Sequence, residues 1–393
     1  MTKNDWFRRE SLIENAVCAS GSDDFGENGW QEGLDLLIES LVTEARLNEL
    51  GCSIAAGELQ TYLTLRAGIT AHRNQHPGLA SAPIEKPIVI MGQPRTGTTI
   101  FYDLISQDPV MRSPLTWEVD NPLPPPQLDT YETDPRIAAT DATLAMVDSV
   151  IPGFTDHHPM SARHAQECVR ITASDFRSMI FATQYRVPTY NRWLLHEADF
   201  APAYRWHRRY LQHLQSGVPA TRWLLKSPAH MWHLGALLAE YPDAILIQAH
   251  RDPLKVISSV SALVAVLRSL ASDETSIPQA AAEYAEDIFL GLERSIAARD
   301  DGTVPPNQII DVQFTEFLDD PIATIRRVYD EIGLELTADT ERRMRDFLSA
   351  NPGDGGGAGK RYRFSDTELD EGEIRERSRA YMQRFDVTEE PAA

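Results

Sequence analysis

The sequence predicts an α/β protein: a three-layer fold with a central, mostly parallel sheet, a helical N-terminal region and a helical cap. Three observations carry this. Four short apolar runs, Ile88-Val89-Ile90-Met91, Trp223-Leu224-Leu225, Ala244-Ile245-Leu246-Ile247 and Ile309-Ile310-Asp311-Val312, have the length of buried strands. Turn or polar residues follow each run, and helical periodicity follows in turn, as over 231–238, 254–270 and 322–332, the last with Gly333 just past its end. Between the first and second runs lies an insertion of more than 100 residues, too long for a simple crossover. Strands that alternate with helices pair in parallel and are covered on both faces.

The elements follow in order. Residues 1–80 read as helical, because Leu34, Leu37, Ile38, Leu41 and Ala45 recur at spacings of three and four; Gly51 is the expected stop. Pro83 and Pro87 bracket the change to the first strand, which ends at Gly92. Residues 119–160 carry Pro122, Pro124, Pro125, Pro126, Pro152 and Pro159, and together with a helical stretch to about 215 they predict a cap over the sheet. The run Gly-Asp-Gly-Gly-Gly-Ala-Gly-Lys at 353–360 reads as a mobile loop, followed by a polar helix at roughly 371–385. The expected organisation is a helical region over 1–84, a core domain over 85–345 with its cap insertion at about 119–215, and a closing loop and helix over 346–393. No internal repeat interrupts this pattern.

Composition narrows the function. With 37 Lys and Arg against 58 Asp and Glu, 37 − 58 gives a net charge of −21 over 393 residues, which excludes a general nucleic-acid binder but allows one anionic ligand in a local cluster of cations. Cys18, Cys52 and Cys168 are scattered without a CxxC pair, predicting a reducing compartment and no structural zinc. The first residues, MTKNDWFRRESLIENAV, lack the apolar core of a signal peptide. The most apolar stretch, ALVAVL at 262–267, ends at Arg268 and falls far short of the roughly 20 residues needed to span a bilayer. A soluble, cytoplasmic protein with no membrane span is the expectation.

Chemistry concentrates after the strands. Gly92-Gln-Pro-Arg-Thr-Gly97-Thr98-Thr99 lies between a strand and a helical run, with four residues between its two glycines. Glycine permits close backbone approach, a helix N-terminus presents N–H groups, and the threonines add hydroxyl donors, so the loop suits an anion. Thr98 stands where nucleoside triphosphatases place a lysine, which argues against ATP hydrolysis; Arg95 supplies a cation on the loop itself. The alternative is a glycine-rich turn with no ligand. After the third run comes His250-Arg251-Asp252-Pro253, with Pro253 suited to open a helix and Ser259 two turns along it. Taken alone, that motif equally describes a helix cap with a surface salt bridge. Leu224-Leu-Lys226-Ser-Pro-Ala-His230 closes the second run.

These three motifs resemble those of sulfotransferases that use 3′-phosphoadenosine 5′-phosphosulfate, and most of all a bacterial branch related to tyrosylprotein and heparan sulfotransferases. The resemblance covers roughly residues 85–335 and implies a P-loop-like fold. It implies that Arg95, Thr96, Gly97, Thr98 and Thr99 hold the donor's 5′-phosphosulfate. It assigns Arg251 and Ser259 to the 3′-phosphate and places Lys226 near the sulfuryl group. In Gly359-Lys360-Arg361-Tyr362 it finds a weaker echo of a basic loop closing over the nucleotide. The implied product is adenosine 3′,5′-bisphosphate, and no metal is required. Three residues are candidates for the base that takes the acceptor proton: Glu118, in Leu115-Thr-Trp-Glu118, by likeness to the tyrosylprotein enzymes; His230, although its spacing from Lys226 departs from the Lys-x-His of cytosolic relatives; and His158, in His157-His158-Pro159-Met160.

Phe154, Met160, Phe176, Met179, Phe181, Tyr185 and Trp193 make the cap segment aromatic and apolar. Taken singly, each suits core packing; collectively they favour a small apolar or aromatic hydroxyl acceptor. The alternatives are a carbohydrate sulfotransferase, a P-loop kinase or NTPase with a degenerate loop, and a nucleotide-binding module that has lost catalysis. The oligomeric state is not legible in the sequence.

Overall fold

Five strands, all parallel to their neighbours, form a single sheet in the order β2-β3-β1-β4-β5 in the computed structural model, which describes residues 3–150, 161–351 and 362–391. They are β1 (Ile88–Gly92), β2 (Met111–Arg112), β3 (Arg222–Lys226), β4 (Ile245–His250) and β5 (Ile309–Gln313). The α/β expectation therefore holds, and four strands lie on the four apolar runs. β2 escaped notice because two residues show no periodicity. β1 is buried along its whole length, as a central parallel strand must be, and β5 buries only Ile310 and Val312, which explains the polar Asp311 inside its run.

The strand order places the reactive end. β2 and β3 lie to one side of β1 and β4 and β5 to the other, so the chain reverses its winding direction around β1. Open α/β sheets bind ligands at that switch point, beyond the carboxyl ends of the strands. Register pairs Ile90 with both Lys226 and Ile247 and Gly92 with Ala249, so β1 and β4 end within one residue of each other and β3 ends two residues before β1. The helix Thr98–Ile105 follows β1, and the Tyr102 hydroxyl donates to the Leu224 carbonyl at 3.2 Å. After β5, Asp320 caps the helix Pro321–Glu331 by accepting from the Ala323 N–H at 3.0 Å, and Gly333 stops it in the left-handed region. The polar helix expected near the C-terminal end spans Glu371–Phe385.

The described chain divides into two compact units. The sheet belongs to the one that comprises Glu85–Ser113, Ala220–Ala265 and Ser276–Ala393. The other comprises Met1–Ile84, Pro114–Pro219 and Val266–Thr275, and it is helical. In it Leu34, Leu37 and Leu41 are buried on one stripe of the helix Trp30–Thr43, as their spacing predicts. Arg66 and Asp175 form a buried ion pair at 3.0 Å, Arg177 binds the same carboxylate at 2.8 Å, and Arg66 lies 4.4 Å from the Trp206 ring centroid. The proline-rich segment is tied down by hydrogen bonds from the helix Ala201–Leu214, from the Tyr210 hydroxyl to the Val119 carbonyl at 2.7 Å and between His213 Nε2 and the Pro122 carbonyl at 2.8 Å.

Two expectations change here. Gly51 does not end a helix; it sits in the first turn of Glu49–Gln75, where its N–H donates to the Asn48 side chain at 2.8 Å. Its lack of a side chain serves packing, since a Cβ there would lie 2.1 Å from the Ala271 carbonyl oxygen. In addition, Phe176, Phe181, Tyr185 and Trp193 are buried within their own unit, so their aromaticity is packing and says nothing about an acceptor. Phe154 and Met160 lie outside the described residues, as does the glycine-rich run at 353–360. Among the described residues no helix is long and apolar enough to cross a membrane.

Two glycines of one helix test this packing argument. Gly57, in Glu49–Gln75, has nothing within 4 Å of the point where a Cβ would stand, so Gly57→Ala should stabilise the protein by about 0.8 kcal/mol. Gly51→Ala should destabilise it by roughly 2 kcal/mol or more through overlap with Ala271. Denaturant unfolding of the two variants checks the opposite signs.

Candidate active site

The site is built where β1, β3, β4 and β5 end. β1 closes on Gly92 at φ +145°, where a Cβ would stand 2.6 Å from the Ala249 carbonyl oxygen of β4. Only glycine fits this close approach. Thr96 turns its hydroxyl back onto the Gln93 carbonyl at 2.7 Å, and the Gln93 side-chain amide donates to the Ile288 carbonyl at 2.9 Å. Arg95 sits at φ +68°, a left-handed conformation that costs a non-glycine residue roughly 1 kcal/mol. Two bonds hold it there: its Nε donates to Ser259 Oγ at 3.1 Å, and its carbonyl accepts from an Arg251 terminal nitrogen at 2.7 Å. Gly97, at φ +78°, starts the helix Thr98–Ile105 without a side-chain cap. The first-turn N–H groups of that helix therefore point out beyond the sheet.

Lys226, the last residue of β3, is only 2% exposed, and its ammonium donates to Thr99 Oγ1 at 3.1 Å. The loop and the neighbouring strand thus present a cation and a hydroxyl side by side. Arg251 follows β4 directly. Its Nε and second terminal nitrogen donate to the two Glu390 oxygens at 2.8 and 3.0 Å, and its guanidinium lies 4.0 Å from the Phe314 ring centroid. Asp252, fully buried, accepts from the Leu254 N–H at 2.9 Å and from Arg375 at 2.6 Å, so this aspartate is the helix cap and ion pair that the motif alone allowed.

Behind Arg251, His250 is fully buried, stacked 4.4 Å from the Phe385 ring centroid and hydrogen-bonded through Nδ1 to the Tyr381 hydroxyl at 2.8 Å. Its Nε2 meets Asp311 Oδ1 at 2.7 Å, and Arg299 forks onto the same carboxylate. Burial alone would raise the Asp311 carboxyl; the bonds from His250 and Arg299 outweigh it and hold the group well below the usual carboxylate range. Burial lowers His250, and the Asp311 carboxylate offsets part of that.

The structure brings Arg95, Ser259 and Arg251 into one hydrogen-bonded chain and Lys226 onto Thr99, within a single unit. His230 belongs to the same unit, buried in the turn Pro228–Trp232, and desolvation pushes it down to about 3. Glu118 belongs to the helical unit, fully buried, with its carboxylate accepting from the Leu115 N–H at 3.0 Å at the start of the helix Thr116–Asp120. His158, Lys360 and Arg361 lie outside the described residues. Sequence reasoning missed Phe314, although its place directly after β5, a further strand end, was a usable signal. It also missed Glu390, for which local sequence carries no signal.

The buried histidines generate a pH prediction. Burial holds His230 and His233 at about 3 and His213 at about 4, against an ordinary 6.5. Below 6.5 the unfolded chain takes up protons that the folded chain refuses, so stability falls as pH drops, approaching about 1.4 kcal/mol per pH unit for each histidine. Asp311, held low in the fold, adds a loss of the same sign only below about pH 4, outside the histidine window. Unfolding free energy measured from about pH 6.5 to pH 5 should decline, and His230→Gln should flatten the slope by one proton's worth. An unchanged slope in that variant would remove His230 from the account.

Comparison with known proteins follows this geometry. The sulfotransferase family matches residues 87–339, which holds the whole sheet and the site. The crystal structure of sulfotransferase STF9 from Mycobacterium avium is 30% identical, with a TM-score of 0.88 over 97% of this chain and 97% of that one. That of sulfotransferase STF1 from Mycobacterium tuberculosis is 29% identical, with a TM-score of 0.83 over 94% and 97%. Omega-hydroxy-beta-dihydromenaquinone-9 sulfotransferase Stf3 of Mycobacterium bovis is 24% identical over 277 residues, 67% of each chain. Together with a loop, a lysine and an arginine set at adjacent strand ends, these findings place the chain in the sulfotransferase family, and it is a sulfotransferase.

Proposed function

We propose that this enzyme transfers a sulfuryl group from 3′-phosphoadenosine 5′-phosphosulfate to the hydroxyl of a small apolar or aromatic acceptor, with release of adenosine 3′,5′-bisphosphate. The observation that carries the donor assignment is the hydrogen-bonded continuity from Ser259 through Arg95 to Arg251, beside Lys226 on Thr99. It offers two anion-holding points, one at the phosphate loop and one past β4, as a nucleotide with phosphates at both ends requires. The donor carries roughly four negative charges, so these cations must supply a local positive focus in a protein of net charge −21.

The reaction is an in-line displacement. The acceptor oxygen bonds to sulfur while the bond from sulfur to the bridging oxygen of the nucleotide breaks, and the acceptor proton passes to a base. Transfer of this kind runs through a loose transition state, in which positioning and electrostatics dominate. Lys226 and Arg95 neutralise the charge that develops on the bridging oxygen, and the loop N–H groups with Thr96, Thr98 and Thr99 hold the 5′-phosphate. Arg251 and Ser259 take the 3′-phosphate. For the base, Glu118, His230 and His158 stay the candidates, with His230 disfavoured by the desolvation that lowers its pKa. The apolar character of the acceptor, though not its small size, rests on Stf3, whose name specifies a hydroxylated menaquinone derivative, and this favours an apolar alcohol over a carbohydrate. Family membership disfavours the kinase and NTPase alternative.

Calorimetric titration with adenosine 3′,5′-bisphosphate tests the donor site. Binding should be tighter than that of ATP with Mg²⁺, and Arg251→Ala should weaken it by about 30-fold, the loss expected for a charge-assisted bidentate contact. Preference for Mg-ATP would overturn the reading. A Glu118 base predicts that Glu118→Gln lowers the transfer rate by about 100-fold with bisphosphate affinity unchanged, whereas a comparable loss in His230→Gln alone would assign the base to His230.

A further inference from the structure

The Arg251 fork, assigned above to the donor's 3′-phosphate, already grips a carboxylate of the same chain. Glu390 meets the guanidinium side-on through both oxygens, at 2.8 and 3.0 Å, which is the geometry by which arginine also takes a phosphate. The segment is seated on the same motif by its backbone: the Glu390 N–H donates to Asp252 Oδ2 at 2.8 Å, and its carbonyl accepts from Arg375 at 3.0 Å. Arg375 in turn binds Asp252 at 2.6 Å. Two cations, Arg251 and Arg375, thus face Asp252 and Glu390, and Arg375 also meets Glu389 at 3.2 Å and Glu371 at 3.7 Å. Asp252 is fully buried and committed to the cap of the helix Pro253–Ser269. Glu390 differs, because its side chain is 19% exposed and its segment, after the helix Glu371–Phe385, forms no helix or strand among the described residues. Of the two carboxylates held against the Arg251 motif, it is the one that can leave without dismantling an element.

We propose that Glu390 is an internal substitute for the 3′-phosphate: it occupies the Arg251 fork and yields it to the nucleotide. This rests on the assignment of Arg251 to the 3′-phosphate. Because donor and product share that phosphate, the carboxylate weakens the hold on both alike and so favours release of adenosine 3′,5′-bisphosphate after transfer. Loss of the 390 carboxylate leaves Arg251 its contacts with the Arg95 carbonyl and the Phe314 ring, so the fork stays aimed.

The test is calorimetric titration of the full chain with adenosine 3′,5′-bisphosphate and, separately, adenosine 5′-phosphate, for the wild type, Glu390→Gln, Glu390→Ala and Arg251→Ala. Both Glu390 variants should bind the bisphosphate about tenfold more tightly at low salt, with less than about a twofold change for the 5′-phosphate, which has no group to place in the fork. Unchanged or weakened bisphosphate binding in the Glu390 variants, with Arg251→Ala strongly impaired, would overturn the substitution and make Glu390 a residue that orients Arg251. An Arg251→Ala variant that binds the bisphosphate as the wild type does would overturn the underlying assignment, and the substitution with it. Thermal unfolding of each variant separates a local change from loss of fold.

Discussion

The proposed donor site depends on one backbone position held against its preference. Arg95 stands in the left-handed region at the crest of the loop, and that conformation directs its carbonyl to Arg251 and its side chain to Ser259. The strain is comparable to the worth of a single hydrogen bond, so two such bonds are enough to offset it. The two partners come from the end of β4 and the helix that follows it. The loop after β1 is therefore shaped by the neighbouring strand, and the halves of the nucleotide site are mechanically one piece. Phe314 completes the arrangement from the end of β5, packing against Gly97 on one side and under Arg251 on the other.

A second layer keeps Arg251 where it is. His250 precedes it at the end of β4, enclosed by Asp311, Tyr381 and Phe385, and Arg299 completes the charge on Asp311. A buried imidazole held between a carboxylate and a phenol is a rigid wedge, and burial lowers its pKa against the opposing pull of Asp311. The polar helix Glu371–Phe385 contributes Tyr381 and Phe385 to this wedge, and Arg375 to Asp252. A segment that looks like a solvated appendage in composition is thus the clamp on the back of the phosphate-binding motif.

Much of this is legible in the amino-acid sequence. Strands of five or six apolar residues and glycines at a strand-to-helix turn are local signals, and β1, β3, β4 and β5 lie where those signals fall. Lys226 and Arg251 are legible because parallel strands deliver their final residues to one edge of the sheet. Other features need three dimensions. The two-residue β2 has no period to read. Gly51 imitates a helix stop, whereas its reason is the carbonyl of Ala271, far along the chain. The aromatic residues of the cap segment read as a ligand pocket but pack into a core, since side-chain type does not distinguish an interior facing a ligand from one facing other side chains. Glu390 could not be foreseen, because nothing local marks which of many carboxylates meets a given arginine.

The central claim is that the cations at the strand ends stabilise the departing nucleotide rather than only hold it. Lys226 separates these roles, because it is buried, fixed on Thr99 and set apart from the Arg251 fork. Single-turnover transfer from 3′-phosphoadenosine 5′-phosphosulfate to an apolar alcohol acceptor, in the wild type and Lys226→Met, with bisphosphate affinity measured in parallel, is the direct test. The account predicts a rate lower by about 100-fold or more with affinity changed less than about threefold. Equal losses of rate and affinity, or no loss of rate, would contradict it.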